Sequence, residues 1–448
     1  MQFSTTGKIL KDAVKLLNKF NSGVSLNGDY VRIIDEPGLT MLNMTVSSTM
    51  NSLADIDCSR ASINIEINDN DKTDGSEYSD TAYIKFSDLK IIANLASKRE
   101  YLVFHFYDKD KHIVKVQVGE GVVTIPYKEN ISTYNDLNAT ANSKKDKFVN
   151  LSGYNFVDIE NLASKLSWGC TVTPSNHELL KNVLIRVNNK ELTFIATNGY
   201  VVNRKKYTSN DNNTKTFNKE LKETYTFAID GKFFKQLSTI INLEQNLEID
   251  VNTKQLVYQA ENIFITFDSA DTEKYDIYNF GSVVDGNLSN MKNKATFTKL
   301  SVESLMTAIS SAIKVNDKQS GNTIIMRFNQ PDSKIYVESL KDNESGLTKY
   351  QLSEEVQMDF ADKDVKEVTF AINGSYVLNA LKALYNADDR DDIIDEPNEY
   401  TIEFSNDNLR PIAITDSADN TSHVYSKEEF VELITPVLLS SMRKESHE

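Results

Sequence analysis

A chain of 448 residues is longer than one hydrophobic core usually serves, and at about 100–150 residues per domain it predicts three domains. Its 40% hydrophobic and 9% aromatic content is that of a globular chain, and no apolar run approaches the roughly 18 residues that a membrane helix needs. The net charge of −16 excludes indiscriminate nucleic-acid binding over the whole surface but leaves room for a local basic face.

In chain order, Ile9, Leu10, Ala13, Leu16, Leu17 and Phe20 recur at the spacing of one helical face, behind a polar run Ser4-Thr5-Thr6 that can cap it. Lys8, Lys11, Asp12, Lys15 and Lys19 interrupt the apolar core of a signal peptide, and the lone Cys58 and Cys170 form no disulfide framework, so a reducing cytoplasm is expected. Residues 61–67 alternate apolar and polar as a strand with one wet face does, and residues 247–251 do the same. Ala82-Tyr83-Ile84-Lys85-Phe86-Ser87 runs into Leu89, Ile92, Ala93 and Ala96 at helical spacing. Residues 128–147 are polar and mark a first boundary, and residues 156–166 give another helix pattern.

Thr226-Phe227-Ala228-Ile229-Asp230-Gly231 recurs 143 residues later as Thr369-Phe370-Ala371-Ile372-Asn373-Gly374, and Ile84 lies 144 residues before Ala228. Each copy leads into an apolar helix pattern, so the chain reads as three repeats of about that length. A second boundary falls at residues 286–294, rich in Gly, Asn and Lys, before the helix pattern of residues 300–313. Polar insertions at residues 68–80, 208–223 and 386–398 lengthen loops without adding core, and read as exposed and mobile. The predicted fold class is α+β, with domains at 1–145, 146–290 and 291–448, each of two helices packed on antiparallel sheets.

The strand and turn Leu192-Thr193-Phe194-Ile195-Ala196-Thr197-Asn198-Gly199-Tyr200 is similar to the apolar-x-Ala-Thr-Asp-Gly-His/Tyr segment of the bacterial DNA polymerase III beta sliding clamps. Phe370 to Leu381 resembles that family's Phe-Asn-x-x-Tyr-Leu-x-x-x-Leu segment, and Ile434-Thr435-Pro436-Val437-Leu438-Leu439 its closing Met-Pro-Met-Arg-Leu. The resemblance implies the DNA clamp fold: a head-to-tail homodimer of three-domain protomers closed into a ring around duplex DNA, without base specificity. It implies a processivity factor that tethers a replicative polymerase subunit and is served by a clamp loader, with no cofactor, no metal and no membrane partner.

Charge agrees with a basic channel. Five of the six helix windows carry net positive charge in a strongly acidic chain, the exception being residues 156–166 with Asp158 and Glu160. The DNA-facing residues implied are Lys8, Lys11, Lys15, Lys19, Lys90, Lys98, Arg99, Lys232, Lys235, Lys314 and Lys382. Sliding favours such point charges over base-reading groups. The resemblance further implies a peptide pocket made by Leu180, Thr197, Gly199, Tyr200 and Val202 with Asn373, Tyr376, Pro436 and Val437. In it Thr197, Asn373 and Tyr376 would hold the peptide backbone. Val201 stands where the family commonly has Arg and Asp276 where it has Pro, so the partner peptide motif is open. The residues Ile313, Lys314 and Val315 are the expected ring-closing surface of the last domain. The tail, residues 440–448, extends beyond the family's usual end.

Nothing in the sequence marks an enzyme. His105, His112, His177, His423 and His447 are scattered, and Asp69, Asp71 and Asp74 before Gly75 miss the calcium-loop spacing. The alternative reading is a three-repeat structural or scaffold protein that never encircles DNA.

Overall fold

The computed structural model describes residues 2–20, 30–35, 41–50, 57–66, 80–107, 112–129, 149–150, 166, 180, 182–209, 221, 223–237, 240, 245–250, 255–260, 263–269, 280–316, 321–339, 348–351, 356–388, 400–419 and 425–437. They divide into two compact units: residues 1–156, 217–220 and 227–271, and residues 157–216, 221–226 and 272–448.

The first unit holds a twelve-stranded sheet among the described residues. Its order is Gln2–Thr6, Tyr101–Tyr107, Ile113–Val118, Gly121–Lys128, Asp80–Lys85, Tyr30–Asp35, Met41–Met50, Asp57–Glu66, Ile263–Asp268, Gln255–Ala260, Gln245–Asp250 and Val149–Asn150. The join between residues from the first and second thirds of the chain is the antiparallel pair of Asp57–Glu66 with Ile263–Asp268, in register from Ile63 opposite Ile263.

Helix Gly7–Phe20 turns Leu10, Ala13, Leu16, Leu17 and Phe20 inward as their spacing predicts, with Val14 beside them, while the expected Ile9 is only half-buried. It packs beside helix Phe86–Leu95 and helix Gly231–Gln236, and the Phe20 ring meets Phe267 edge-on at 6.4 Å. Ser4 and Thr5, read as part of a cap, belong instead to strand Gln2–Thr6. Only Thr6 caps, its hydroxyl accepting from Ile9 N at 3.3 Å.

The second unit carries a sheet in the order Asn182–Val187, Glu191–Thr197, Val201–Ser209, Tyr425–Ile434, Ile412–Asp419, Tyr400–Phe404, Asn293–Phe297 and Gln357–Asp359. A four-stranded sheet follows the order Thr348–Gln351, Lys334–Ser339, Thr323–Asn329 and Glu367–Asn373. Between the two lie Ile324, Met326, Phe328, Phe370, Ile372, Ile402 and Phe404, all at 0% exposure, with Phe328 stacked on Phe404 at 4.3 Å. Helix Lys299–Val315, capped by the Thr298 hydroxyl accepting from Ser301 N, packs on helix Gly374–Asp388 and closes this core.

The duplicated element is the same object three times. Strand Asp80–Lys85 feeds helix Phe86–Leu95, strand Tyr225–Asp230 feeds helix Gly231–Gln236, and strand Glu367–Asn373 feeds helix Gly374–Asp388. Residues 286–294, read as the second boundary, comprise the end of helix Phe280–Leu288, a turn, and the start of strand Asn293–Phe297. The Asn287 and Asn290 side chains, which suggested a loop, donate to the carbonyls of Val283 and Gly286 in the helix. The expected helix at residues 156–166 lies outside the described residues except for Leu166, which is helical and fully buried. So do residues 129–147 beyond Glu129, Asp276, and nearly all of the three polar insertions.

Candidate functional site

The turn Thr197–Val201 is built by its own side chains. The Thr197 hydroxyl donates to Val201 O at 2.6 Å and accepts from Gly199 N at 3.1 Å, while Asn198 Oδ1 accepts from the amides of Tyr200 and Val201, both at 2.9 Å. Gly199 has φ +90°, a conformation that favours glycine, and Leu180 Cδ1 lies 3.6 Å from where a Cβ would stand. The turn thus presents Tyr200, 62% exposed, beside Leu180. Thr197 is buried and its hydroxyl, donating to Val201 and accepting from Gly199, shapes the turn.

The last strand ties this turn to the rest of the expected pocket. Val201 pairs with Ile434 and Val202 with Leu433. Beyond Ile434 the chain continues as a bridge, with Thr435 N donating to Tyr200 O at 2.9 Å and Val437 N donating to Ala371 O at 2.7 Å. Thr435-Pro436-Val437 therefore spans from the Tyr200 turn to strand Glu367–Asn373, whose end carries Asn373 and whose following helix carries Tyr376. Asn373 Oδ1 accepts from Ser375 N at 3.0 Å, which sets the strand-to-helix corner. Tyr376 is half-buried against the main core. The structure thus links both halves of the sequence-read set by main-chain hydrogen bonds, with Pro436 buried and Val437 half-buried between them.

The sequence reading missed the helix that lies over this sheet. Val202 and Leu433 share one face with Val431 and Ala413, and helix Phe280–Leu288 covers them with Val284, Leu288 and, just beyond it, Met291. The same face carries Arg204, 3% exposed, whose guanidinium forks between Asp285 of that helix and Glu429 of the neighbouring strand. The available signal was Val284 and Leu288 at i, i+4, hidden in a segment rich in Gly, Ser and Asn.

The opposite face holds Glu432, in register with Asn203 and Ile414. It is fully buried, neither carboxylate oxygen has a hydrogen-bond partner among the described residues, and burial holds its carboxyl well above the ordinary carboxylate range.

The basic set is distributed over both units. In the first, Lys8, Lys15, Lys98, Arg99 and Lys235 are exposed, and Lys11, Lys19 and Lys90 are half-buried, with the Lys90 ammonium 4.5 Å from the Phe86 ring centroid. In the second, Lys314 and Lys382 are exposed. The Lys232 side chain lies outside the described residues. Of the expected closing surface, Lys314 and Val315 face solvent, whereas Ile313 turns toward Gly374. Among the described residues no three His, Cys, Asp or Glu side chains converge on a metal site, and no helix is long and apolar enough to cross a membrane.

The same architecture extends end to end over solved proteins. A Bacillus subtilis DNA polymerase sliding clamp superposes with TM-score 0.68 at 14% identity, covering 98% of this chain and 99% of that one. The chain has the fold of the bacterial sliding clamps. A Streptococcus pyogenes DNA polymerase beta subunit matches at TM-score 0.67 and 15% identity, and a Pseudomonas aeruginosa DNA polymerase III subunit beta at 0.66 and 12%. Each covers 98% of this chain and is itself covered over its whole length. No protein-family model matches the sequence, and no curated protein matches it either.

Proposed function

We propose that this chain is a DNA sliding clamp: a non-enzymatic processivity factor whose ring encircles duplex DNA and holds a replicative polymerase on it. The observation that carries the reading is the strand-then-helix element occurring three times on a fold shared with sliding clamps over 98% of the chain. Three domains, at 1–145, 146–290 and 291–448, would then be present in each protomer. Two protomers would close head to tail, with Lys314 and Val315 of one against the first domain of the other, where Ile91, Leu95 and Val122 are 54%, 58% and 63% exposed. The lysines of the helices would attract phosphates without reading bases, while the acidic remainder of the surface discourages binding elsewhere. Partner peptides of polymerase and clamp loader would dock along the Tyr200 turn and the Thr435-Pro436-Val437 bridge.

The mechanism is topological, so residence on DNA depends on ring opening and not on contact energy. The test loads the protein onto a nicked circular plasmid and then linearises it. Retention on the circle with loss from the linear form supports the ring, and equal retention on both rejects it in favour of a scaffold.

A further inference from the structure

Loop 96–100 is pinned to the start of helix Gly7–Phe20. Gly7 N donates to Glu100 O at 2.8 Å and Lys8 N to Lys98 O at 3.1 Å. Ser97 O lies 2.0 Å from where a Cβ on residue 7 would stand, so only glycine permits this approach. The loop's one acidic side chain is occupied, since Glu100 Oε2 accepts from Ser97 N at 2.8 Å. Strand pairing sets Tyr101 opposite Thr6, one residue before the helix. The result is a rigid corner carrying exposed Lys8, Lys98 and Arg99 together with a Tyr101 ring that is 62% exposed.

From this corner Lys11, Lys15 and Lys19 continue Lys8 along one helical face at i+3, i+7 and i+11, with Asp12 the only acid on the helix. Burial and, after it, the Lys15 charge both push the Lys19 ammonium below its ordinary range, so like charges are crowded there. A polyanion would relieve that repulsion. Inside a duplex the base faces are covered, whereas an unpaired base offers its face to an exposed tyrosine beside a cationic cluster.

We propose that Lys8, Lys98, Arg99 and Tyr101 form a platform for an unpaired nucleic-acid strand, with phosphates on the three cations and a base stacked on Tyr101. The platform rests on the clamp reading only for its choice of nucleic acid as partner, and it operates without ring closure. A clamp so equipped would hold the single-stranded arm of a primer junction as well as the duplex.

The experiment measures fluorescence anisotropy of a labelled twelve-nucleotide oligo(dT) and of a blunt duplex of equal length, with the full chain. Tyr101→Ala weakens oligo(dT) binding by about tenfold or more while leaving the duplex unchanged, and Tyr101→Phe, which keeps the stacking face, binds as the parent. The Lys98→Ala/Arg99→Ala double variant lowers the slope of log affinity against log salt by about 1.4, at about 0.7 per phosphate lost from a single strand. Equal oligo(dT) affinity in Tyr101→Ala and parent overturns the platform, as does an equal loss for duplex. A changed oligomeric mass with unchanged oligo(dT) affinity also overturns it and assigns Tyr101 to a protein interface. Retention on nicked circles is scored separately, so failure of the platform and failure of the ring are read from different assays.

Discussion

At the scale of single residues, Glu432 is a costly buried group in the second unit. Its carboxyl is buried without a partner among the described residues, so the folded chain holds the Glu432 proton more tightly than the unfolded chain does. The associated stability is therefore full below the ordinary carboxylate value of 4.5 that the unfolded chain keeps, and is lost as pH rises through the raised native value. Glu432→Gln cannot ionise. It should stabilise the protein at pH 8, where the parent must take up a proton to bury this carboxyl, and much less at pH 4, where the unfolded chain already holds that proton. Denaturant melts of parent and variant across that range check this, and parallel pH profiles would refute it. Gly199 makes the contrasting case, where a residue shapes the site and is not strained by it. A side chain at φ +90° costs about 1–2 kcal/mol, so Gly199→Ala should lower the melting temperature and weaken partner-peptide binding together. Unchanged peptide affinity would detach the Tyr200 turn from docking.

Among the elements, helix Phe280–Leu288 covers the sheet face that carries Val202 and Leu433, and two kinds of contact hold it. One is the apolar cluster of Val284 and Leu288 on Val202 and Leu433; the other is the Arg204 fork. The two arms of that fork are unequal, because Asp285 is 63% exposed while Glu429 is 25% exposed. The exposed Asp285 arm contributes about 0–1 kcal/mol, and its loss leaves Arg204 paired with Glu429, whereas removing Arg204 takes away both arms and the packing of a buried side chain. Arg204→Ala should therefore destabilise the second unit far more than Asp285→Ala, and hydrogen exchange of the helix amides should rise in both. Equal effects would mean that the apolar cluster alone holds the helix. This element was the one least legible in the sequence. The aromatic-led strands before residues 86, 231 and 374 announced themselves because local periodicity and packing agree. Residues 280–291 advertise a loop, and their helix depends on a partner 81 residues away, which no local window contains. The set expected to form a pocket was named through motif order, and main-chain hydrogen bonds link its two halves. The engagement of the Thr197 hydroxyl in the turn was not legible, because only the folded backbone reveals those hydrogen bonds.

For the whole molecule, sequence distance and sheet membership part company. Strands from the middle third pair with Asp57–Glu66 in one unit and with Tyr425–Ile434 in the other, so the middle one of the three repeats suggested by sequence spacing is divided between the two units. Continuous ladders of this kind resist opening, since separating them breaks many backbone hydrogen bonds at once and exposes their polar groups. If the proposed ring opens, it should do so at the contact between protomers. That contact is expected to depend on a few exposed apolar side chains, and burying a charge among them without a partner is costly. Val315→Asp combined with Ile91→Asp should therefore convert a species of about twice 50.6 kDa into one of 50.6 kDa in light scattering. Both residues are exposed in the protomer, 36% and 54%, so its melting temperature should stay near that of the parent. The same variant should lose retention on nicked circular DNA while keeping its affinity for a partner peptide, because the residues of the proposed docking face all lie in the second unit. A variant that remains dimeric and retained would place the closing surface elsewhere, and one that loses peptide binding along with the ring would mean that docking requires the assembled dimer.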